Sequence, residues 1–178
     1  FPNNAVEYYV SYYDYYQPEA YLPATDTYIE KDLAINDEVD QLRIAATRSL
    51  LSGRKDVIVV SSVSCIYGMG SPVDFAANTI NVKVGQVIDI NSLLRRLVDS
   101  MYTRDDIELT RGHFNVKGET VNIALAYDDK NVRIRFAWDE IESIEETDPD
   151  QGYVIARYDE YRIYPANLFT TTKERTLS

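Results

Sequence analysis

Cysteine and histidine are almost absent from this 178-residue chain, with one of each, Cys65 and His113. A lone cysteine excludes an internal disulfide and suits a reducing, cytoplasmic setting. A zinc site built from Cys and His ligands has too few donors, and a nucleophilic triad around a His113 flanked by Gly112 and Phe114 is not credible. No run of about 20 apolar residues is present, so no membrane span is expected. No Gly-x-x-x-x-Gly-Lys-Ser/Thr loop occurs, which removes the usual phosphate cradle, and no loop has EF-hand spacing for a hard cation. The opening Phe1-Pro2-Asn3-Asn4 lacks an initiator Met, a basic stretch and an apolar stretch. It reads as the start of an internal fragment without a signal peptide.

Positive charge is also scarce. Eighteen Lys and Arg face 29 Asp and Glu, for a net charge of −11, which is unfavourable for a free-standing nucleic-acid binder. The imbalance is uneven. Residues 1–79 hold 5 basic and 11 acidic side chains, residues 80–136 hold 9 and 8, and residues 137–178 hold 4 and 10. A docking surface for an acidic partner is therefore expected in the middle section.

With 45% hydrophobic residues the chain can bury a core. Asn36 is a good helix N-cap, Asp37 and Glu38 suit the first turn, and Val39, Leu42, Ala46 and Leu50 recur at helical spacing up to Gly53. The β-branched run Val57-Ile58-Val59-Val60 predicts a strand buried on both faces in a parallel sheet. Gly68, Gly70 and Pro72 then make a linker. The second unit starts near Thr79 with a strand from Ile80 to Val84. A helix capped near Asn91 follows, with Leu93, Leu94, Leu97, Val98 and Met101 inward. Strands are expected over 108–116, 120–126, 132–137, 140–145 and 153–156. The whole reads as an α/β fragment with a protruding β-hairpin (1–78), an α+β domain with a mainly antiparallel sheet (79–169), and a polar tail (170–178).

Tyrosine is abundant, and 8 of 15 lie in residues 1–32. Extended chain alternates its side chains between faces, so Tyr12-Tyr13-Asp14-Tyr15-Tyr16 places aromatics on both sides of a ribbon. This is a packing seam or a stacking surface for bases, where each base contributes about 1–3 kcal/mol. Lys31 is the only cation in residues 1–32, so any hold on DNA there comes from stacking and wedging. A sugar cleft lined by tyrosines and two carboxylates is the reading from a different class.

The order Tyr12-Tyr13-Asp14-Tyr15-Tyr16-Gln17-Pro18-Glu19-Ala20-Tyr21-Leu22-Pro23, then Asp26-Thr27-Tyr28-Ile29-Glu30-Lys31-Asp32, resembles the hairpin signature of the UvrB family. Asn36-Asp37-Glu38, Ser64-Cys65-Ile66-Tyr67-Gly68, Gly70-Ser71-Pro72, Leu93-Leu94-Arg95-Arg96-Leu97-Val98-Asp99 and Asp139-Glu140-Ile141-Glu142 are also similar to that family. The family is the damage-verifying, helicase-like subunit of a bacterial excision nuclease, working with UvrA, UvrC, ATP and Mg. The resemblance implies nucleotide excision repair. It implies DNA contact through Tyr12, Tyr13, Tyr15, Tyr16, Tyr21 and Tyr28 on a hairpin of about residues 12–32, with one strand passing behind it. It also implies UvrA contact through Arg95, Arg96, Arg104, Arg111, Lys117 and Arg133. No catalytic or metal-binding residue, and no ATP-binding loop, is expected in this stretch. The family usually has arginine at position 115, an acid at 135, Phe-Pro at 124–125 and glycine at 138, where this chain has Asn115, Arg135, Ala124-Leu125 and Trp138. A UvrB-like module of the transcription–repair coupling factor is the nearer alternative, and the full tyrosine signature weighs against it.

Overall fold

A computed structural model describes residues 1–10, 28–61 and 72–167, with backbone alone for 28–36. Contacts divide the chain into two units, Phe1–Met69 and Gly70–Ser178. Tyr12, Tyr13, Tyr15, Tyr16 and Tyr21, and with them most of the expected hairpin, lie outside the described residues.

In the first unit, β1 (Ala5–Tyr9) pairs in parallel with β2 (Val57–Ser61), Ala5 opposite Val57 through Tyr9 opposite Ser61. Between them runs α1 (Tyr28–Leu51). The helix starts eight residues before the expected cap at Asn36. No glycine or proline interrupts residues 28–51, so the capping preference of Asn36 is overridden and it lies inside the helix. Tyr28 and the stretch to Asp32, expected on an extended arm, are therefore helical. Gly53, at φ 81, ends the helix as a left-handed stop.

Alternation along β1 turns Tyr8 outward and Tyr9 inward. The Tyr9 ring lies 5.1 Å from the buried Arg43 guanidinium, whose Nε donates to the Val10 carbonyl at 2.8 Å. Ser49 Oγ donates to Glu7 Oε1 at 2.7 Å. Helix and strand are thus joined by a cation–π contact and two hydrogen bonds. Val39 and Ala46 are buried as expected, while Leu50 is 57% exposed. The last inward position is Ser49, tied to Glu7, and Leu50 turns past it. β2 is not buried on both faces, for Val60 and Ser61 are exposed. Its one strand neighbour among the described residues is β1.

The second unit opens with α2 (Pro72–Ala77). Phe75 on this helix is 1% exposed and stacks on Tyr164 with centroids 6.1 Å apart. Packing therefore assigns α2 to this unit, ahead of the boundary near Thr79. β3 (Ile80–Lys83) pairs antiparallel with β10 (Glu160–Ile163), a strand not anticipated. Its alternation is short and polar, so its pairing with a partner some 80 residues away is invisible locally.

Helix α3 (Ile90–Asp99) is capped by Asp89, not Asn91, through a 2.6 Å bond from the Ser92 amide. Leu93 and Leu97 are fully buried. Val98 and Met101, expected inward, are 57% and 48% exposed. Met101 adopts φ 69 just after the C-cap Ser100, which swings Tyr102 inward in its place. Tyr102 is 2% exposed and donates to the Tyr164 carbonyl at 2.9 Å.

The main sheet has the order β4-β5-β6-β7-β8-β9: β4 (Thr103–Arg104), β5 (His113–Lys117), β6 (Thr120–Ala124), β7 (Asn131–Ala137), β8 (Glu140–Thr147) and β9 (Val154–Tyr158). All pairings are antiparallel except β4–β5. The strand expected from Glu108 begins only at His113. Asp105 Oδ1 accepts from the Ile107 and Glu108 amides at 2.9 and 3.0 Å, and this turn takes the backbone groups that a strand would need. The fold of this unit is α+β with a mainly antiparallel open sheet.

Candidate functional site

Side chains on an antiparallel sheet share a face with the residues directly opposite. One face of the six-stranded sheet is apolar: the row Val116, Val121, Ile134, Ile144 and Tyr158 runs across five strands. Val121, Ile134 and Ile144 in it are at most 1% exposed. The next positions along each strand must point the other way. They form the row Asn115, Asn122, Arg133, Glu145 and Arg157. Five strands at about 4.8 Å spacing make this row about 19 Å wide. A second row, Lys117, Thr120, Arg135 and Ser143, lies beside it on the same face.

The first row is linked side by side. Asn122 Nδ2 donates to Asn115 Oδ1 at 3.0 Å, and Arg133 Nε donates to Asn122 Oδ1 at 3.3 Å. Arg133 Nη1 then lies 3.9 Å from Glu145 Oε2. Glu145 is 4% exposed, and Oε2 accepts no hydrogen bond. Buried carboxylate oxygens are nearly always satisfied, so this acceptor stands out. Lys117, Arg135 and Arg157 are exposed around it. The face thus presents four cations, Lys117, Arg135 and Arg157 exposed and Arg133 half-buried, over a buried Asn115 and a buried carboxylate. A surface of this kind recognises an acidic, hydrogen-bonding partner surface.

The structure gathers two of the six expected basic residues here, Lys117 and Arg133. Arg104 lies on β4 and donates to Asp106 at 3.0 Å; Arg111 pairs with Asp129 at 3.5 Å. Arg104 is held by a carboxylate two residues on, and Arg111 by one from the β6–β7 connection. Arg95 and Arg96 lie on the exposed side of α3, Arg95 within electrostatic reach of the capping Asp89. Sequence reasoning missed Arg135 and Arg157. The i, i+2 spacing of Arg133 and Arg135 could have placed both on one strand face; Arg157 joins them only through the β8–β9 register.

His113 is occupied by a 2.7 Å contact from its Nδ1 to Thr110 Oγ1. Tyr161 and Tyr158 pack edge to face at 5.1 Å. Tyr161 donates to Glu146 Oε1 at 3.0 Å, and burial, then the neighbouring Tyr127 and Glu146, push its phenol well above the usual range. Such a tyrosine stays protonated and acts as a donor, not a base. A cleft along β3 and β10 is lined by Asn81, Lys83, Glu160, Tyr161, Arg162 and Tyr164. It holds one carboxylate, Glu160, paired with Lys83 at 3.5 Å, which does not make the two-carboxylate arrangement of sugar cleavage. Among the described residues no group of three or more His, Cys, Asp or Glu could hold a metal ion, and no helix is long and apolar enough to cross a membrane.

Comparison with known proteins places this geometry. A family model described as the UvrB interaction domain matches residues 80–169. UvrABC system protein B of Bacteroides fragilis is 70% identical over 99% of the chain, that of Bacteroides thetaiotaomicron 69% over 99%, and that of Microcystis aeruginosa 55% over 98%. In each case the chain spans 26% of the relative's length, about a quarter. The similarity runs through residues 1–79 as well as through the sheet domain.

Proposed function

The chain belongs to the UvrB interaction-domain family, and we propose that it serves nucleotide excision repair as the part of a UvrB protein that docks UvrA and presents an aromatic segment to DNA. The observation that carries the docking reading is the polar face across β5 to β9, made of both rows. In a chain of net charge −11 it gathers Lys117, Arg133, Arg135 and Arg157 on one ordered face. The amide pair Asn115–Asn122 and the buried Glu145 hold the row in register, so association costs less side-chain ordering. The partner surface is acidic opposite Arg135 and Arg157.

The aromatic segment supplies the DNA contact. Tyr12, Tyr13, Tyr15, Tyr16 and Tyr21 stack on bases, while their acidic neighbours discourage loose binding to phosphate. Tyr28, at the first turn of α1, is placed to mark where this segment joins the helix. ATP and Mg belong to the parent protein's motor. The sequence here holds no Gly-x-x-x-x-Gly-Lys-Ser/Thr loop, and among the described residues no carboxylate cluster would hold a metal. UvrC is a partner of the parent protein, acting in the cytoplasm.

The test is capture of purified UvrA by the 178-residue chain. Arg135→Glu with Arg157→Glu, both at exposed positions, should weaken capture at least about tenfold, or about 1.4 kcal/mol, and slow association most at low salt. A charge reversal that leaves the affinity unchanged in a folded protein would remove the sheet face as the docking surface.

A further inference from the structure

Trp138 is the only tryptophan in the chain, and it is 92% exposed with φ 58. It is the first of two loop residues joining β7 to β8, between the paired Ala137 and Glu140. A positive φ at that position of a two-residue hairpin is ordinarily left to glycine, and any residue with a β-carbon is strained there. Trp138 therefore sits in an unfavourable backbone conformation while burying almost none of its ring in its own chain. Folding supplies no reason for the residue.

Its surroundings suggest one. Val87, 81% exposed, is bridged to Glu140, and the Ile88 amide donates to the Asp139 carbonyl at 3.0 Å. Val87 thus flanks the turn that carries Trp138. Asp139, Glu140 and Glu142 are exposed around the pair. Arg135, three residues earlier on β7, belongs to the polar face, so the turn forms one rim of that face.

We propose that Trp138, flanked by Val87, is an aromatic anchor at the rim of the docking face, entering an apolar pocket of the same protein partner. This rests on the docking reading above. Basic or amide donors at the pocket's edge would face Asp139 and Glu140. The carboxylates argue against an anionic lipid surface, and against a second copy of this chain, which would set like charges together. Tryptophan and arginine are the residue types most enriched at interface hot spots, and Arg135 lies three residues from Trp138.

The experiment uses the whole chain, UvrA and the variant Trp138→Gly. Because glycine accepts the backbone angle, the variant should be at least as stable to urea as the parent, while its Kd for UvrA rises at least about tenfold. In the parent labelled with 5-fluorotryptophan, the single fluorine signal should shift on adding UvrA and become shielded from a soluble quencher. Unchanged affinity in Trp138→Gly overturns the anchor. Loss of stability together with affinity also overturns it, by making Trp138 a folding residue. Conversion of a self-associating parent to a monomer would assign the knob to a second copy instead. If Arg135→Glu with Arg157→Glu abolishes binding in a folded protein and Trp138→Gly does not alter it, the docking reading stands and the anchor falls. If the parent fails to bind UvrA, both fall.

Discussion

Replacing Arg133 by alanine should destabilise the sheet unit chiefly through what it leaves behind. Glu145 would remain 4% exposed with an Oε2 that accepts no hydrogen bond among the described residues, and its ion pair with Arg133 would be gone. At 3.9 Å and an effective dielectric of about 20, the lost attraction is about 4 kcal/mol. The Arg133 side chain is 24% exposed, so water reaches the vacated space and screens part of the penalty. A cost of about 2 kcal/mol is the reasonable expectation. With a urea dependence of about 2 kcal/mol per molar, that moves the midpoint by about 1 M. Hydrogen exchange of the β6, β7 and β8 amides along a urea series would read it from this unit alone. The sharper measure is the cycle with Glu145→Gln, which removes the charge and keeps the shape. Because the two side chains interact directly, Arg133→Ala should cost much less in the Glu145→Gln background, giving a coupling of about 1–2 kcal/mol. A coupling below about 0.5 kcal/mol would refute the claim that Glu145 depends on Arg133.

Two further outcomes follow from local chemistry. Hydrogen bonding from Ser92 holds the Asp89 carboxyl below the usual carboxylate range, and the Glu108 and Ile107 amides do the same for Asp105. A carboxylate with a depressed folded pKa contributes stability that is present above its unfolded pKa and lost as pH falls through the folded value. Acid titration should therefore loosen α3 and the 105–112 loop below about pH 4, and Asp89→Asn should flatten the α3 part of that loss, as followed by amide exchange. In a full-length protein, Tyr15→Ala with Tyr16→Ala should cut incision at a bulky lesion at least roughly ten- to a hundredfold, the loss expected of a single stacked base at about 1–3 kcal/mol, with UvrA capture intact; normal incision would refute the stacking role.

The elements of the second unit were largely legible because their signals are local. The apolar spacing of α3 and the alternation of β7 each sit within ten residues. What stayed hidden depends on partners distant in sequence. β10 is a strand only because β3 lies some 80 residues earlier, and α2 belongs to this unit only because Phe75 meets Tyr164. In the first unit, an N-cap residue type at Asn36 lost to an uninterrupted helical stretch from Tyr28. Val98 and Met101 have the right spacing for burial, but the left-handed turn at Met101 hands their place to Tyr102.

The same distinction explains the docking face. Charge counts pointed to residues 80–136, and the face is centred there, yet they could not sort its cations. Arg104 pairs with the nearby Asp106 and Arg111 with Asp129, whereas Arg133 and Arg135 share a strand face on which the acid opposite Arg133, Glu145, is buried. Register adds Arg157 from a section rich in carboxylates, where composition gave no hint of it. A basic surface thus arises in an acidic protein by alternation: successive residues of β7 and β8 send apolar side chains into the core and aligned polar ones to the other face. A one-residue slip in either pairing would separate Arg133 from Glu145 and bury charge in place of isoleucine. The apolar row across β5 to β9 therefore enforces the register on which the polar row depends, and the docking surface is a consequence of how the core packs.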